Sequence, residues 1–195
     1  MNLPNKLTVT RLILAPVVFV WFFAIDLIEG LSPVFYGAIL AVLYIIMELT
    51  DLFDGKIARK RGLVTDLGKV LDPFGDVISH LTFFTLFLYA DLMPVWAFVL
   101  ILWREFSQSF IRMLLMGKGK PMAANIFGKA KTCFYAFCSV CAFILRIIGK
   151  AGISYSWTGW FMTVCWALAA FFSVGSFIIY IKNTIKSGVL SSMTR

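Results

Sequence analysis

Residues 51–76 read DLFDGKIARKRGLVTDLGKVLDPFGD. Their small and charged residues follow the order Asp51-x2-Asp54-Gly55-x2-Ala58-Arg59, eight residues, then Gly68-x3-Asp72-x3-Asp76. On a helix, the first two of these aspartates share a face at i and i+3, and the last two share a face at i and i+4. The basic, glycine-containing segment between them is typical of a connection between antiparallel helices. The pattern therefore predicts two helices that bring two carboxylates each to one place.

The rest of the chain is strongly apolar. Of its 195 residues, 61% are hydrophobic and 14% are charged, and its mean hydropathy is +0.89, which indicates an integral membrane protein. Apolar runs of about 20 residues are typical of membrane spans. We find six such runs, at 8–27, 33–49, 71–89, 93–116, 132–148 and 157–181. Short connections between them predict an all-α protein with six transmembrane helices, in which residues 1–195 form one domain.

Basic residues predict the orientation. Most Lys and Arg fall on the side that holds both termini and the aspartate motif, whereas the other side holds only Arg146 and Lys150. The positive-inside rule then places both termini and the motif in the cytoplasm, at the inner membrane. The net charge of +8 suits this orientation and contact with anionic lipid, and it does not indicate nucleic acid. The four cysteines lack the spacing of a zinc site and are interpreted as packing residues.

Four carboxylates near the membrane surface need a counter-charge, because ionised aspartates are costly beside hydrocarbon. Oxygen ligands alone favour Mg²⁺ or Mn²⁺, and one or two such ions would neutralise the group. A pair of ions suits a displacement at phosphorus. A cation transporter is the alternative from another functional class, but ion passage does not require the accompanying glycines and arginine.

The motif matches the pattern DxxDGxxAR, x8, GxxxDxxxD, and the chain therefore resembles the CDP-alcohol phosphotransferase family. The resemblance implies a six-helix membrane fold and transfer of a phosphoryl-linked group from a CDP donor to an alcohol, with release of CMP. It implies that Asp51, Asp54 and Asp72 bind metal, and that Asp76 is a ligand or the general base. It also implies a CDP-binding surface formed by Asp54, Gly55, Ala58, Arg59 and Gly68.

Two further stretches, MNLPNKLTVTRLILAP at the start and WREFSQSFIR followed by AANIFGKAKT, resemble the phosphatidylglycerophosphate synthase branch of that family. This implies CDP-diacylglycerol as donor and glycerol 3-phosphate as acceptor, and it leaves open whether the protein is a homodimer. The acceptor phosphate needs its own positive pocket, for which we propose Arg104, Arg112, Lys129 and Lys131. The alternative is that Arg104 pairs with Glu105 as a structural ion pair and that the lysines are solvated.

One position departs from the branch pattern DPxADK, because Val77 stands where a lysine would help bind phosphate. This leaves room for transfer of phosphocholine or phosphoethanolamine to diacylglycerol, or for another acceptor such as serine or an inositol phosphate. A diacylglycerol acceptor would need no second phosphate pocket. His80, one turn after Asp76, is interpreted as a polar residue satisfied between helices, or as one that orients Asp76.

Overall fold

The computed structural model describes residues 2–60, 65–117 and 126–186, without the side chains of Ala58, Arg59, Asp66, Leu67, Lys69 and Met116. This part of the chain is all-helical, which confirms the all-α part of the predicted fold class. Its six helices are α1 (Leu3–Leu27), α2 (Pro33–Lys60), α3 (Asp66–Tyr89), α4 (Val95–Gly117), α5 (Ile126–Lys150) and α6 (Thr158–Lys186).

The helices run further than the apolar runs that predict them. α2 continues to Lys60 and α3 begins at Asp66, so the aspartates of the motif lie within helices rather than at helix ends. Within the described ranges, four helices are long and apolar enough to cross a membrane: Leu3–Leu27, Pro33–Ile57, Ile126–Lys150 and Thr158–Lys186. α3 and α4 are not among them. Both carry several charged residues, which lowers their mean hydropathy.

Capping side chains bring the amino ends of α1 and α3 together. Asn2 caps α1, with its side-chain oxygen accepting from the backbone N–H of Asn5 at 3.2 Å. Thr65 caps α3 in the same way, accepting from the N–H of Gly68 at 3.0 Å. The Asn5 amide also donates to the Thr65 hydroxyl at 3.1 Å, so the two caps are joined. Both helices therefore start at the same level of the bundle.

α1 lies against both α2 and α3, while α6 packs on α4 and α5. Aromatic side chains fill much of the core on the far side of the motif. Phe84 makes edge-to-face contacts with Tyr135 and Trp166, both at 5.0 Å between ring centroids. Close packing of such rings stabilises the bundle core through van der Waals and edge-to-face contacts. This packed half leaves the aspartate-bearing half as the polar end of the bundle.

The opposite end carries a partly exposed ion-pair group. Asp26, near the end of α1, pairs with Arg146 at 2.7 Å and with Lys150, both on α5. The Arg146 guanidinium also lies over the Phe22 ring, 4.7 Å from its centroid. These contacts tie α1 to α5 at the end away from the aspartate motif.

Candidate metal and substrate site

Helix geometry alone predicts that the four aspartates of the motif lie at one depth. At about 1.5 Å per residue, Asp72 and Asp76 lie roughly 9 and 15 Å along α3 from its first residue. On α2, which runs in the opposite direction, Asp54 and Asp51 lie roughly 9 and 13 Å from Lys60. The side chains of α2 and α3 can therefore meet. α1 packs between these two helices, and Arg11 lies on it at a similar depth, roughly 12 Å from Leu3.

The Arg11 guanidinium contacts all four carboxylates. Its Nη1 donates to Asp51 Oδ1 and, at 2.6 Å, to Asp76 Oδ1. Its Nη2 donates to Asp54 Oδ2 at 2.6 Å and to Asp72 Oδ1 at 3.2 Å. Each nitrogen thus joins one carboxylate of α2 to one of α3. We call Asp51, Asp54, Asp72 and Asp76, with Arg11 at their centre, the acidic cluster.

The acidic cluster has the donor set and spacing that a divalent cation needs. One carboxylate oxygen from each of Asp51, Asp72 and Asp76 lies within 4.8 Å of the others. Three hard oxygen donors at this spacing fit Mg²⁺ or Mn²⁺. Four carboxylates face a single guanidinium, so negative charge remains in excess and a cation is electrostatically favoured.

The four aspartates differ in their exposure. The Asp54 side chain is 4% exposed, while those of Asp51, Asp72 and Asp76 are 39%, 46% and 33% exposed. Asp54 also accepts from the Thr8 hydroxyl at 3.0 Å. The buried Asp54 is therefore held by side chains of α1, and the other three carboxylates remain open to a ligand.

Two glycines of α3 let α1 approach closely. A Cβ added at Gly75 would lie 2.9 Å from Thr8 Cγ2 and 3.8 Å from Arg11 Nη2. A Cβ added at Gly68 would lie 2.7 Å from Asn5 Oδ1 and 3.0 Å from Thr65 Oγ1. Both positions are thus required for α1–α3 packing. Gly68 was predicted to contact the nucleotide, and in the structure it faces the Asn5 side chain of α1; a nucleotide contact there stays a proposal.

The remaining predicted CDP-binding residues lie on the last turns of α2. Gly55 follows Asp54 directly and is partly exposed. The side chains of Ala58 and Arg59 lie outside the described residues.

A second polar group, with the opposite charge balance, lies among α4, α5 and α6. Glu105 Oε1 accepts from Arg104 Nη1 at 2.8 Å, from Lys131 Nζ at 2.9 Å and from the Tyr135 hydroxyl at 2.9 Å. Arg104 also donates to the Ser173 carbonyl at 3.3 Å and to the Ser176 hydroxyl at 2.8 Å. We call Arg104, Glu105, Lys131 and Tyr135 the basic cluster. Its two cations surround one carboxylate, and their side chains are only 4% and 12% exposed.

The four residues predicted to bind the acceptor phosphate are thus divided by the structure. Arg104 and Lys131 meet in the basic cluster, and Arg104 forms the anticipated pair with Glu105. Arg112 lies further along α4, beside the Tyr180 hydroxyl of α6. Lys129 is exposed on α5. Arg104 and Lys131 are therefore the stronger candidates for binding the acceptor phosphate.

His80 lies between the two clusters. Its Nδ1 is 2.9 Å from the backbone carbonyl of Asp76, and its ring contacts Tyr135 edge-on at 5.6 Å between centroids. The Nδ1 contact requires a proton on that nitrogen, because a carbonyl oxygen can only accept. Lys131 in turn lies within electrostatic range of Asp76. The acidic and basic clusters are therefore neighbours, joined by one turn of α3.

Two parts of the site did not emerge from the sequence. Arg11 counts in the sequence as one of the cytoplasmic charges, whereas it is 1% exposed at the centre of the acidic cluster. The signal for it was a lone arginine within an apolar run, where a charge needs a partner. α6 gave no functional expectation, yet its buried Ser173 and Ser176 hold Arg104. A serine pair in an apolar helix is too common to indicate such a role.

Comparison with known proteins agrees with the motif. The profile of the CDP-alcohol phosphatidyltransferase family matches residues 1–171. The chain belongs to this family. The match includes α1 to α5 and part of α6, so both clusters lie within the family domain.

Three similar proteins come from different bacteria. The chain is 38% identical over 137 residues to the CDP-diacylglycerol--glycerol-3-phosphate 3-phosphatidyltransferase of Bacillus subtilis, covering 67% of this chain and 70% of that protein. It is 29% identical over 181 residues to the protein of that name from Rickettsia bellii, covering 93% and 94%. It is 32% identical over 154 residues to a probable phosphatidylglycerophosphate synthase of Mycobacterium tuberculosis, covering 78% and 70%.

Proposed function

We propose that this member of the CDP-alcohol phosphatidyltransferase family moves a phosphatidyl group from CDP-diacylglycerol to glycerol 3-phosphate, releasing CMP and giving phosphatidylglycerophosphate. The observation that carries the proposal is the pair of neighbouring clusters of opposite charge balance. The acidic cluster suits a cation-bound pyrophosphate donor, and the basic cluster suits an anionic acceptor. The names of the relatives support the same donor and acceptor.

Asp51, Asp54, Asp72 and Asp76 would hold the cations, for which we propose two Mg²⁺ or Mn²⁺ ions. Bound there, the ions would neutralise the donor pyrophosphate and the leaving CMP. Gly55, Ala58, Arg59 and Gly68 would lie along the nucleotide, together with Asp54. Of these, Arg59 has the planar donor group that suits phosphate oxygens.

In the acceptor pocket, Arg104 and Lys131 would bind the phosphate of glycerol 3-phosphate. Arg112 and Lys129 would be further cations that the acceptor meets as it enters the pocket. Val77 does not contradict this assignment. It is 4% exposed and packs in the bundle, so the positive charge near the site comes from α4 and α5 instead. A diacylglycerol acceptor would have no use for these two buried cations, of which Lys131 lies within electrostatic range of Asp76.

In the reaction, the 1-hydroxyl oxygen of glycerol 3-phosphate attacks the phosphorus that carries the diacylglycerol. A new phosphorus–oxygen bond forms, the bond from that phosphorus to the bridging pyrophosphate oxygen breaks, and CMP leaves. The hydroxyl proton passes to the Asp76 carboxylate. His80 fixes the backbone of Asp76 through its carbonyl. Asp72, one turn earlier on α3, would hold a cation on the donor side of the site.

We further propose that all six helices cross the inner membrane and that both termini and the acidic cluster face the cytoplasm. The four long apolar helices support membrane insertion. The charged residues of α3 and α4 would be kept from lipid, because they pair within the bundle.

The direct test offers the purified protein each donor with a panel of acceptors. CDP-diacylglycerol would be combined with glycerol 3-phosphate, serine or an inositol phosphate, and CDP-choline and CDP-ethanolamine with diacylglycerol. CMP release and the lipid product are measured with Mg²⁺, with Mn²⁺ and with EDTA. We expect phosphatidylglycerophosphate, formed only with a divalent cation. Product from another pair would reassign the substrates, and product in EDTA would reject the metal centre. A cation transporter would release no CMP.

A further inference from the structure

The two terminal nitrogens of Arg11 divide the acidic cluster into two bridging positions. Nη1 joins Asp51 of α2 to Asp76 of α3, and Nη2 joins Asp54 of α2 to Asp72 of α3. The two divalent ions of the proposed function would be held by these same four carboxylates. One guanidinium therefore occupies carboxylate oxygens that the ions of the proposed function would use, although it leaves negative charge in excess.

Arg11 has no other role visible in the described part of the chain. It is 1% exposed within an apolar helix, and its Nε has no hydrogen-bond partner there. Its four polar contacts with side chains all go to the acidic cluster. A buried arginine this dependent on one group of carboxylates is held in place by their charge, and they in turn are held together by it.

The same contacts make Arg11 and divalent cations competitors. Carboxylate oxygens that donate their lone pairs to a cation are less available to the guanidinium, and two positive groups at one point repel each other. The Arg11 stem has several rotatable bonds, so the head group can move while the α1 backbone stays packed. Three of the four aspartates are also open to solvent, which gives an ion access to them.

We propose that Arg11 is a positioning residue that keeps the four carboxylates assembled until divalent cations displace its guanidinium. The inference rests on the metal centre of the proposed function. It adds that cation affinity is set by competition with a side chain of the protein itself. Removing Arg11 then has two opposite effects: the acidic cluster becomes less stable without ions and binds ions more tightly.

The test uses full-length protein in detergent and compares wild type with Arg11→Met, Arg11→Lys and Arg146→Met. The last variant is the matched control, because Arg146 is also a largely buried, ion-paired arginine but lies at the other end of the bundle. Mn²⁺ binding is measured from the electron paramagnetic resonance signal of free Mn²⁺, without substrate. Tm is measured in EDTA and in saturating Mn²⁺.

We expect Arg11→Met to bind Mn²⁺ about tenfold more tightly than wild type, because a competing charge has been removed. Its Tm should fall in EDTA and return to the wild-type value in Mn²⁺. Arg11→Lys retains the charge but can contact fewer carboxylates at once, so its Mn²⁺ affinity should lie between the two. If the Arg11→Met protein can be purified only in the presence of Mn²⁺, the Tm of Arg11→Lys can still be measured in EDTA. Arg146→Met should lose stability equally in both conditions and keep the wild-type affinity for Mn²⁺.

Weaker or unchanged Mn²⁺ binding by Arg11→Met would overturn the proposal. So would a loss of stability that Mn²⁺ does not restore, because this would make Arg11 merely structural. Failure of wild type itself to bind Mn²⁺ is a different result, and it would reject the metal centre of the proposed function.

Discussion

The acidic and basic clusters are built from the same kinds of contact, but the first has an excess of negative charge and the second an excess of positive charge. In the acidic cluster, four carboxylates surround one guanidinium, and three of them are partly exposed. In the basic cluster, two cations and a tyrosine hydroxyl surround one carboxylate, and all of them are largely buried. Each cluster can gain stability from a ligand of the opposite sign to its excess charge, a cation at the first and an anion at the second.

The difference in exposure indicates how the two ligands reach the site. An ion can exchange with solvent at the acidic cluster directly. The basic cluster is more buried, and His80 lies between it and the acidic cluster. An acceptor bound to Arg104 and Lys131 would therefore meet the donor from the buried side. This arrangement allows the reacting hydroxyl to approach Asp76 while bulk water is kept behind it.

Removing the carboxylate at the junction of the two clusters should have the largest effect. Asp76→Asn keeps the shape of the side chain but cannot accept the hydroxyl proton, so kcat should fall by about 10²- to 10⁴-fold. Donor binding should be largely retained, because Asp51, Asp54 and Asp72 remain. The measurement is CMP release alongside equilibrium binding of CDP-diacylglycerol.

Asp91→Asn is the matched control for this change. Asp91 lies on the α3–α4 connection with φ 57°, a backbone conformation that asparagine also tolerates. It should retain wild-type turnover. Full activity in Asp76→Asn would show that another group takes the proton and would remove the link between the clusters.

The basic cluster is tested by two lysines that lie two residues apart on α5. Lys131→Met removes a buried cation that pairs with Glu105, whereas Lys129→Met removes an exposed one. We expect the KM for glycerol 3-phosphate to rise roughly 10- to 100-fold in Lys131→Met, because a charge-assisted contact to phosphate is lost. Lys129→Met should change it little. The KM for CDP-diacylglycerol is measured in both variants; an equal rise for donor and acceptor would argue against a separate acceptor pocket.

How much of this could be predicted from sequence depends on the range of each contact. The four aspartates share helix faces at fixed spacings, so their convergence followed from helix periodicity and one short connection. Arg11 joins them across 40 to 65 residues of chain, and no local pattern specifies such a contact. The pairing of Arg104 with Glu105 was an anticipated alternative. The choice of Lys131 over Lys129 depends on the rotation of α5 against α4, which only packing sets.

The close approach of α1 to α3 is tested by a single methyl group. Gly75→Ala would place its Cβ 2.9 Å from Thr8 Cγ2, so α1 must move away or the threonine must turn. Overpacking of this kind costs about 1–3 kcal/mol. Mn²⁺ affinity should change as well, because α1 carries both Thr8, which holds Asp54 in place, and Arg11, which competes with the ions. Tm and Mn²⁺ affinity are the measurements.

Gly159→Ala provides the comparison for this variant, because a Cβ at Gly159 meets nothing within 4 Å. Alanine is favoured over glycine in a helix by about 1 kcal/mol, so this variant should be as stable as wild type or more so. A Gly75→Ala protein with unchanged Tm and Mn²⁺ affinity would show that α1 can shift without disturbing the carboxylates.

The smallest expected effect on acceptor binding comes from one hydroxyl of the basic cluster. Tyr135→Phe removes a donor to Glu105 at 2.9 Å and a hydrogen bond with Ser173 at 2.7 Å, while the ring keeps its contacts with Phe84 and His80. Loss of a buried hydrogen bond to a charged group lowers the free energy of unfolding by about 1.5–3 kcal/mol. The KM for glycerol 3-phosphate should change less than in Lys131→Met, since the two cations remain. Tyr155→Phe, at an exposed tyrosine, should leave both quantities unchanged. If Tyr135→Phe raised the acceptor KM as much as Lys131→Met, the hydroxyl itself would contact the acceptor, and the anion site would extend from the cations toward α6.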